Sequence, residues 1–162
     1  FQPNSTPVEC CLRERGFNRY YAHLAATLAK RERVHSVSLR TTLWDRLKAL
    51  PSTDATQLVN LGAFAAHVMA RDAAPATLLC PLADHYKGSS GKVELLLRAV
   101  MSTLLLSKYG AEQVAFWERV STARELADVK DLMVISLRKA LKAKGSEAFK
   151  DKGTRLLRIL RS

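Results

Sequence analysis

The chain has 162 residues, a length that suits one domain able to bury roughly 68–70% of its unfolded surface without disulfides or metal. Lysine and arginine total 26 against 15 acidic residues, and the formal charge of +11 points to a polyanionic partner: RNA, DNA or an acidic protein surface. Asn60 and His67 interrupt the apolar run from Leu58 to Ala70, so no stretch reaches the ~18 apolar residues of a membrane span and a soluble domain is expected.

The segment from Phe1 to Pro7 has neither an initiator methionine nor a signal-type apolar run, and reads as the start of a piece of a longer protein. Tyr21, Leu24, Ala25 and Leu28 then fall on one helix face, and Leu39, Leu43, Leu47 and Leu50 mark a second helix that Pro51 stops. Asp54 caps a third, with Gln57 three residues on as in a capping box and Leu58, Leu61, Ala65 and Val68 as its buried stripe. Pro75, Pro81, Gly88 and Gly91 predict that 72–91 is mostly loop around one short helix near Ala76 to Tyr86, with Ser89 and Ser90 as loop and cap.

The helical period resumes with Val93, Leu96, Leu97, Val100, Met101 and Leu104, and Gly110 is the expected left-handed stop. A shorter helix carries Val114, Trp117 and Val120. A long one has Leu126, Val129, Met133, Leu137 and Leu141 as its seam and ends at Gly145. A last amphipathic turn or two bears Leu156, Leu157 and Leu160. Successive helices joined by short turns pack as antiparallel neighbours, so the expected fold is an all-α solenoid of irregular stacked hairpins.

Signals for catalysis are weak. His23, His35, His67 and His85 never pair at helical ligand spacing, and Asp84-His85 has no second carboxylate a turn away, so no metal site is expected. Cys10, Cys11 and Cys80 are an odd set without ligand spacing and read as reduced, with Cys10 and Cys11 as small packing residues. The run Gly88-Ser89-Ser90-Gly91-Lys92 lacks the spacing and the preceding strand of a phosphate-binding loop. No catalytic residue, cofactor or small-molecule substrate is assigned.

The charge says more. Arg138, Lys139, Lys142, Lys144, Lys150, Lys152, Arg155, Arg158 and Arg161 stand against only Glu147 and Asp151, so most of the net charge sits in a basic C-terminal segment, 138–162. Arg155, Arg158 and Arg161 share one flank of the final helix while Leu156, Leu157 and Leu160 take the other. Several cations acting together release counterions from a phosphate backbone, which makes these nine the candidate RNA contacts. Only Phe149 lies nearby as an aromatic, so backbone contact with folded RNA fits better than base stacking.

The stretch from Val8 to Ala25, with Glu9-Cys10-Cys11, Glu14, Phe17-Asn18, Tyr20-Tyr21-Ala22 and Leu24-Ala25, resembles the opening of the MA3 domain in nucleolar MIF4G-domain proteins. Leu43-Trp44-Asp45 is similar to that family's "LWD" helix, Asn60-Leu61 with Ala66-His67 to its next helix, and Arg119-Val120-Ser121 to the motif before its last long helix. The chain departs from the pattern at Val37 to Thr41, where relatives carry a phenylalanine-rich segment, and at Ala29, where many carry cysteine. Tyr20, Tyr21, Leu24 and Leu28 are expected in the first helix-pair core, with Trp44 half-buried; Trp44, Asp45 and Arg46 are the candidate protein contacts.

The resemblance implies a single MA3-like, HEAT-like domain over 1–162. It also implies a non-enzymatic scaffold in the nucleus and nucleolus that contacts pre-ribosomal RNA and small-subunit assembly factors during processing of the small ribosomal RNA, with no membrane partner. A DEAD-box RNA helicase is a further partner the family suggests. The rival readings are the MA3 domain of a splicing factor, a helicase regulator in translation, and, furthest behind, a helical hydrolase using His67 or His85.

Overall fold

The computed structural model describes residues 5–106, 110–142 and 147–161. Among the described residues the chain is built from eight α-helices and three short 3-10 turns, without a strand. The helices are α1 (Ser5–Arg13), α2 (Arg19–Arg31), α3 (Arg33–Lys48), α4 (Ala55–Ala70), α5 (Pro81–Leu106), α6 (Gly110–Thr122), α7 (Ala127–Lys142) and α8 (Glu147–Arg161). They form the expected all-α stack: α1, α2 and α4 pack together, α2 packs on α3, α4 on α5, α5 on α7, and α8 closes against α6 and α7.

Local chemistry sets the joints. Asn18 Oδ1 accepts the Tyr20 amide at 3.0 Å and starts α2, and the single extended residue Glu32 turns the chain into α3. Leu39, Leu43, Leu47 and Leu50 are all buried, and the Leu50–Ser52 turn holding Pro51 ends that run. Asp54 then accepts the Gln57 amide at 2.8 Å, satisfying one of the amides that the first turn of α4 leaves open.

Helix α4 is buried on nearly every side, from Leu58 through Met69, as befits a helix with neighbours all round. Gly62 permits its approach to α5: a Cβ there would stand 2.8 Å from both the Ala99 Cβ and the Leu96 carbonyl oxygen. The helix ends in a Schellman motif, with the Ala73 amide donating to the Val68 carbonyl at 2.9 Å and the Asp72 amide to Met69 at 3.1 Å. Asp72 takes the left-handed conformation, φ 59°, that this motif demands and that glycine usually supplies.

Four expectations need correction. Residues 72–91 are not mostly loop: after a 3-10 turn at Ala76–Leu79, α5 starts at Pro81 and runs past Gly88 and Gly91, and Ser89 lies inside it, its backbone leaving the helical region at φ −145°, ψ 44°. The Gly/Ser cluster does break the helical path, at Ser89, as expected, but helix resumes at once on its far side, with Leu82 buried before the break and Val93, Leu96 and Leu97 after it. Gly110 opens α6. The final turn or two is a fifteen-residue helix, α8, whose Gly153 lets Leu141 of α7 come close. Tyr20 is 61% exposed, because α2 turns Ala22, Ala25 and Ala26 inward and leaves Tyr21, Leu24 and Leu28 half-buried. The Val114 and Phe149 side chains and Gly145 lie outside what the structure describes.

Candidate functional site

The basic segment occupies the last two helices. Arg138, Lys139 and Lys142 are exposed on α7, opposite the stripe of Val129, Met133 and Leu137, and Lys150, Lys152, Arg155, Arg158 and Arg161 are exposed on α8; Lys144 lies outside the described residues. Leu156 and Leu160 are buried, so α8 has the amphipathic division its sequence implies. At about 100° per residue, Arg155, Arg158 and Arg161 span roughly 120° of its outer side. Glu147, Asp151 and Thr154 fall in that sector too, so from Arg155 onward its exposed residues are the three arginines. Arg158 and Arg161 sit in the last turn, where they also offset the negative end of the helix dipole.

One of these cations is already engaged: Lys139 Nζ donates to Glu94 Oε1 of α5 at 2.7 Å, and that hydrogen bond holds its pKa above the ordinary lysine value. The other described cations of the segment are exposed, so α7 and α8 each present positive charge to solvent.

Trp44, Asp45 and Arg46 separate in space. Trp44 is half-buried, with Lys48 Nζ 5.6 Å from its ring centroid, and Asp45 is exposed. Arg46 turns inward and grips Glu9 of α1 through two hydrogen bonds, Nε to Oε1 at 3.0 Å and Nη2 to Oε2. Its guanidinium therefore ties α3 to α1.

The surface beside Trp44 is hollow. A cavity of about 290 Å³ is lined by Val37, Thr41, Trp44 and Leu78, and an adjoining one of about 510 Å³ by Phe116, Arg119 and Val120; Arg40, Pro75 and Thr77 border both. Asp72, fixed by its left-handed backbone, reaches Arg119 at 3.4 Å across the larger hollow. Sequence reasoning did not find this groove. The signal was present: Val37 and Trp44 share a stripe of α3 roughly a third of a turn round from that of Leu39, Leu43 and Leu47, a second apolar stripe that the helical period reveals.

The polar groups of the N-terminal helices serve packing. Asn60, 1% exposed, donates to the Cys11 carbonyl at 3.2 Å and the Glu14 carbonyl at 2.9 Å, capping the end of α1. The Cys11 thiol is buried and its pKa is pushed up to about 11 by that burial, the behaviour of a small apolar residue. His67 stacks on Phe17 with ring centroids 5.0 Å apart, and burial, aided by Arg19 and Arg71, lowers its pKa to about 4. Cys10 and Cys80 are half-buried thiols, and among the described residues no three His, Cys, Asp or Glu side chains gather as metal ligands. No helix there is long and apolar enough to cross a membrane.

Against this geometry stand the comparisons with known proteins. The family model of the MA3 domain matches residues 5–75. The chain is similar to nucleolar MIF4G domain-containing protein 1 of mouse, 25% identical over 124 residues, and of human, 26% identical over 124 residues. These alignments cover 76% of this chain but 14% of each relative, so the chain spans a small part of their length. No solved structure matches it.

Proposed function

From the premise that residues 5–75 carry an MA3 domain, we propose that the chain is a non-enzymatic scaffold of nucleolar small-subunit ribosome assembly, one helical domain from 1 to 162 that holds assembly factors and precursor ribosomal RNA together. The observation that carries the reading is the exposure of the cations on α7 and α8, eight described residues with one tied back to Glu94. Such a set gains affinity from each phosphate it neutralises, needs no sequence reading, and suits folded RNA inside a particle. The α3 edge around Trp44 is the protein-binding side, with Asp45 exposed at its margin; Arg46 supports it from within by holding α1. The likeness to proteins named as nucleolar supports the compartment.

The test is the particle that the full-length protein joins. Sedimented from a nuclear extract, it should travel with precursors of the small ribosomal subunit and carry their RNA. Spliceosomal RNA in the same fractions, or a stoichiometric complex with an initiation helicase and no precursor RNA, would overturn the assignment.

A further inference from the structure

Helix α3 is apolar on two sides. Leu39, Leu43 and Leu47 are buried against the core, whereas Val34 is 54% exposed, Val37 44% exposed and Trp44 half-exposed on the outer side. Helices α1, α2 and α5 all pack on α3, and Val34 and Val37 are still left exposed. The outer side overlooks the two adjoining hollows, about 290 Å³ at Trp44 and about 510 Å³ at Phe116 and Val120, joined where Arg40, Pro75 and Thr77 border both.

The rim of this groove is positive. At helical spacing Arg33, Val37, Arg40, Trp44 and Lys48 form one stripe of α3, in which cations alternate with the two apolar residues, and Arg119 of α6 faces it. The one acid among the described lining residues, Asp72, is 3.4 Å from Arg119 in an exposed pair of the kind worth little, so a stronger carboxylate ligand can replace it. The floor is apolar and recessed. Such a groove suits a side chain inserted from a partner, with carboxylates on either side of it reaching the arginines.

We propose that the groove between α3 and α6 binds an acidic segment of a partner protein through one or two bulky apolar side chains seated beside Trp44 and Phe116. This rests on the reading of the Trp44 edge as the protein-binding side and adds the chemistry of the partner. RNA fits the same charge less well: base stacking needs an open ring face, and Trp44 is half-buried under the Lys48 ammonium while Phe116 is 7% exposed.

A short fluorescein-labelled peptide of Glu and Asp around one Leu and one Phe is the probe, titrated by anisotropy against the 162-residue chain. Saturable binding is expected, weakened about tenfold or more by Arg40→Glu with Arg119→Glu, and as much by Leu and Phe to Ala in the peptide. The exposed arginine variants keep the fold, which their circular-dichroism melts verify. The Trp44 indole N–H resonance, assigned with Trp44→Phe, shifts on binding while that of the buried Trp117 stays. Arg155→Glu with Arg158→Glu and Arg161→Glu leaves peptide affinity within about twofold, since those sites lie outside the groove. No binding, displacement by single-stranded RNA with no movement of the indole, or binding lost in the α8 variant and kept in the groove variant would each overturn the proposal. If the peptide fails yet Arg40→Glu releases full-length protein from its particle, the acidic chemistry is wrong and the protein-binding side stands.

Discussion

Two parts of the molecule reach stability by different means. Around α4, the fold depends on polar and steric detail: Asn60 caps α1 through two carbonyls, Arg46 grips Glu9, and Gly62 lets α5 approach to a distance that a single methyl would violate. The last two helices rest mainly on buried apolar residues, Val129, Met133 and Leu137 on α7 and Leu156 and Leu160 on α8, with their charge on the outside. The family match lies over the first part and the candidate RNA contacts over the second. A recognisable sequence here follows from interior chemistry with few substitutes, whereas a cationic surface can be built from many arrangements of lysine and arginine.

The difference can be broken most sharply at the glycines. Gly62→Ala should cost about 3 kcal/mol in urea unfolding, because its Cβ meets a backbone oxygen and the α4–α5 pair must separate; a change under about 1 kcal/mol would mean that the two helices yield easily there. Asn60→Ala should cost about 2 kcal/mol by stranding two buried carbonyls, and an unchanged urea midpoint would show that water reaches the end of α1.

A smaller effect is set by pH. His67 binds fewer protons folded than unfolded, so the stability it contributes is complete above 6.5 and is lost as pH falls from 6.5 towards about 4. His67→Gln should flatten that part of the stability profile, and a profile identical to the parent would place the acid sensitivity elsewhere. Smallest of all is Gly153→Ala, whose Cβ meets side-chain atoms alone, chiefly the end of Leu141 with Leu137 beside it; relief of the helical glycine offsets that crowding, and the net change should stay within about 1 kcal/mol of zero. A loss as large as that of Gly62→Ala would erase the contrast between the two regions.

Much of this was legible in the sequence. The leucine spacing of α3, the Asp54 cap and the amphipathic division of α8 follow from period and local hydrogen bonding, and the structure has them all. The breaker-rich stretch marked the break at Ser89 but misled about its extent, because burial on either side keeps the flanking residues helical. Tyr20 misled because the alanines of α2, and not its tyrosines, permit close helix packing. The second apolar stripe of α3 was legible in its period, but the groove beside it joins residues far apart in the chain, Arg40, Asp72 and Arg119, and no local pattern announces that meeting.

The central claim, that the exposed cations of the last two helices exist to meet a phosphate backbone, is tested most directly by the salt dependence of RNA binding. Plotted as log affinity against log salt for a structured ribosomal RNA fragment, Arg155→Glu with Arg158→Glu and Arg161→Glu should bind more weakly at every salt and lower the slope by about 2–3, roughly 0.7–0.9 for each phosphate no longer neutralised. A slope equal to that of the parent chain would show these arginines to be solvated surface and contradict the claim.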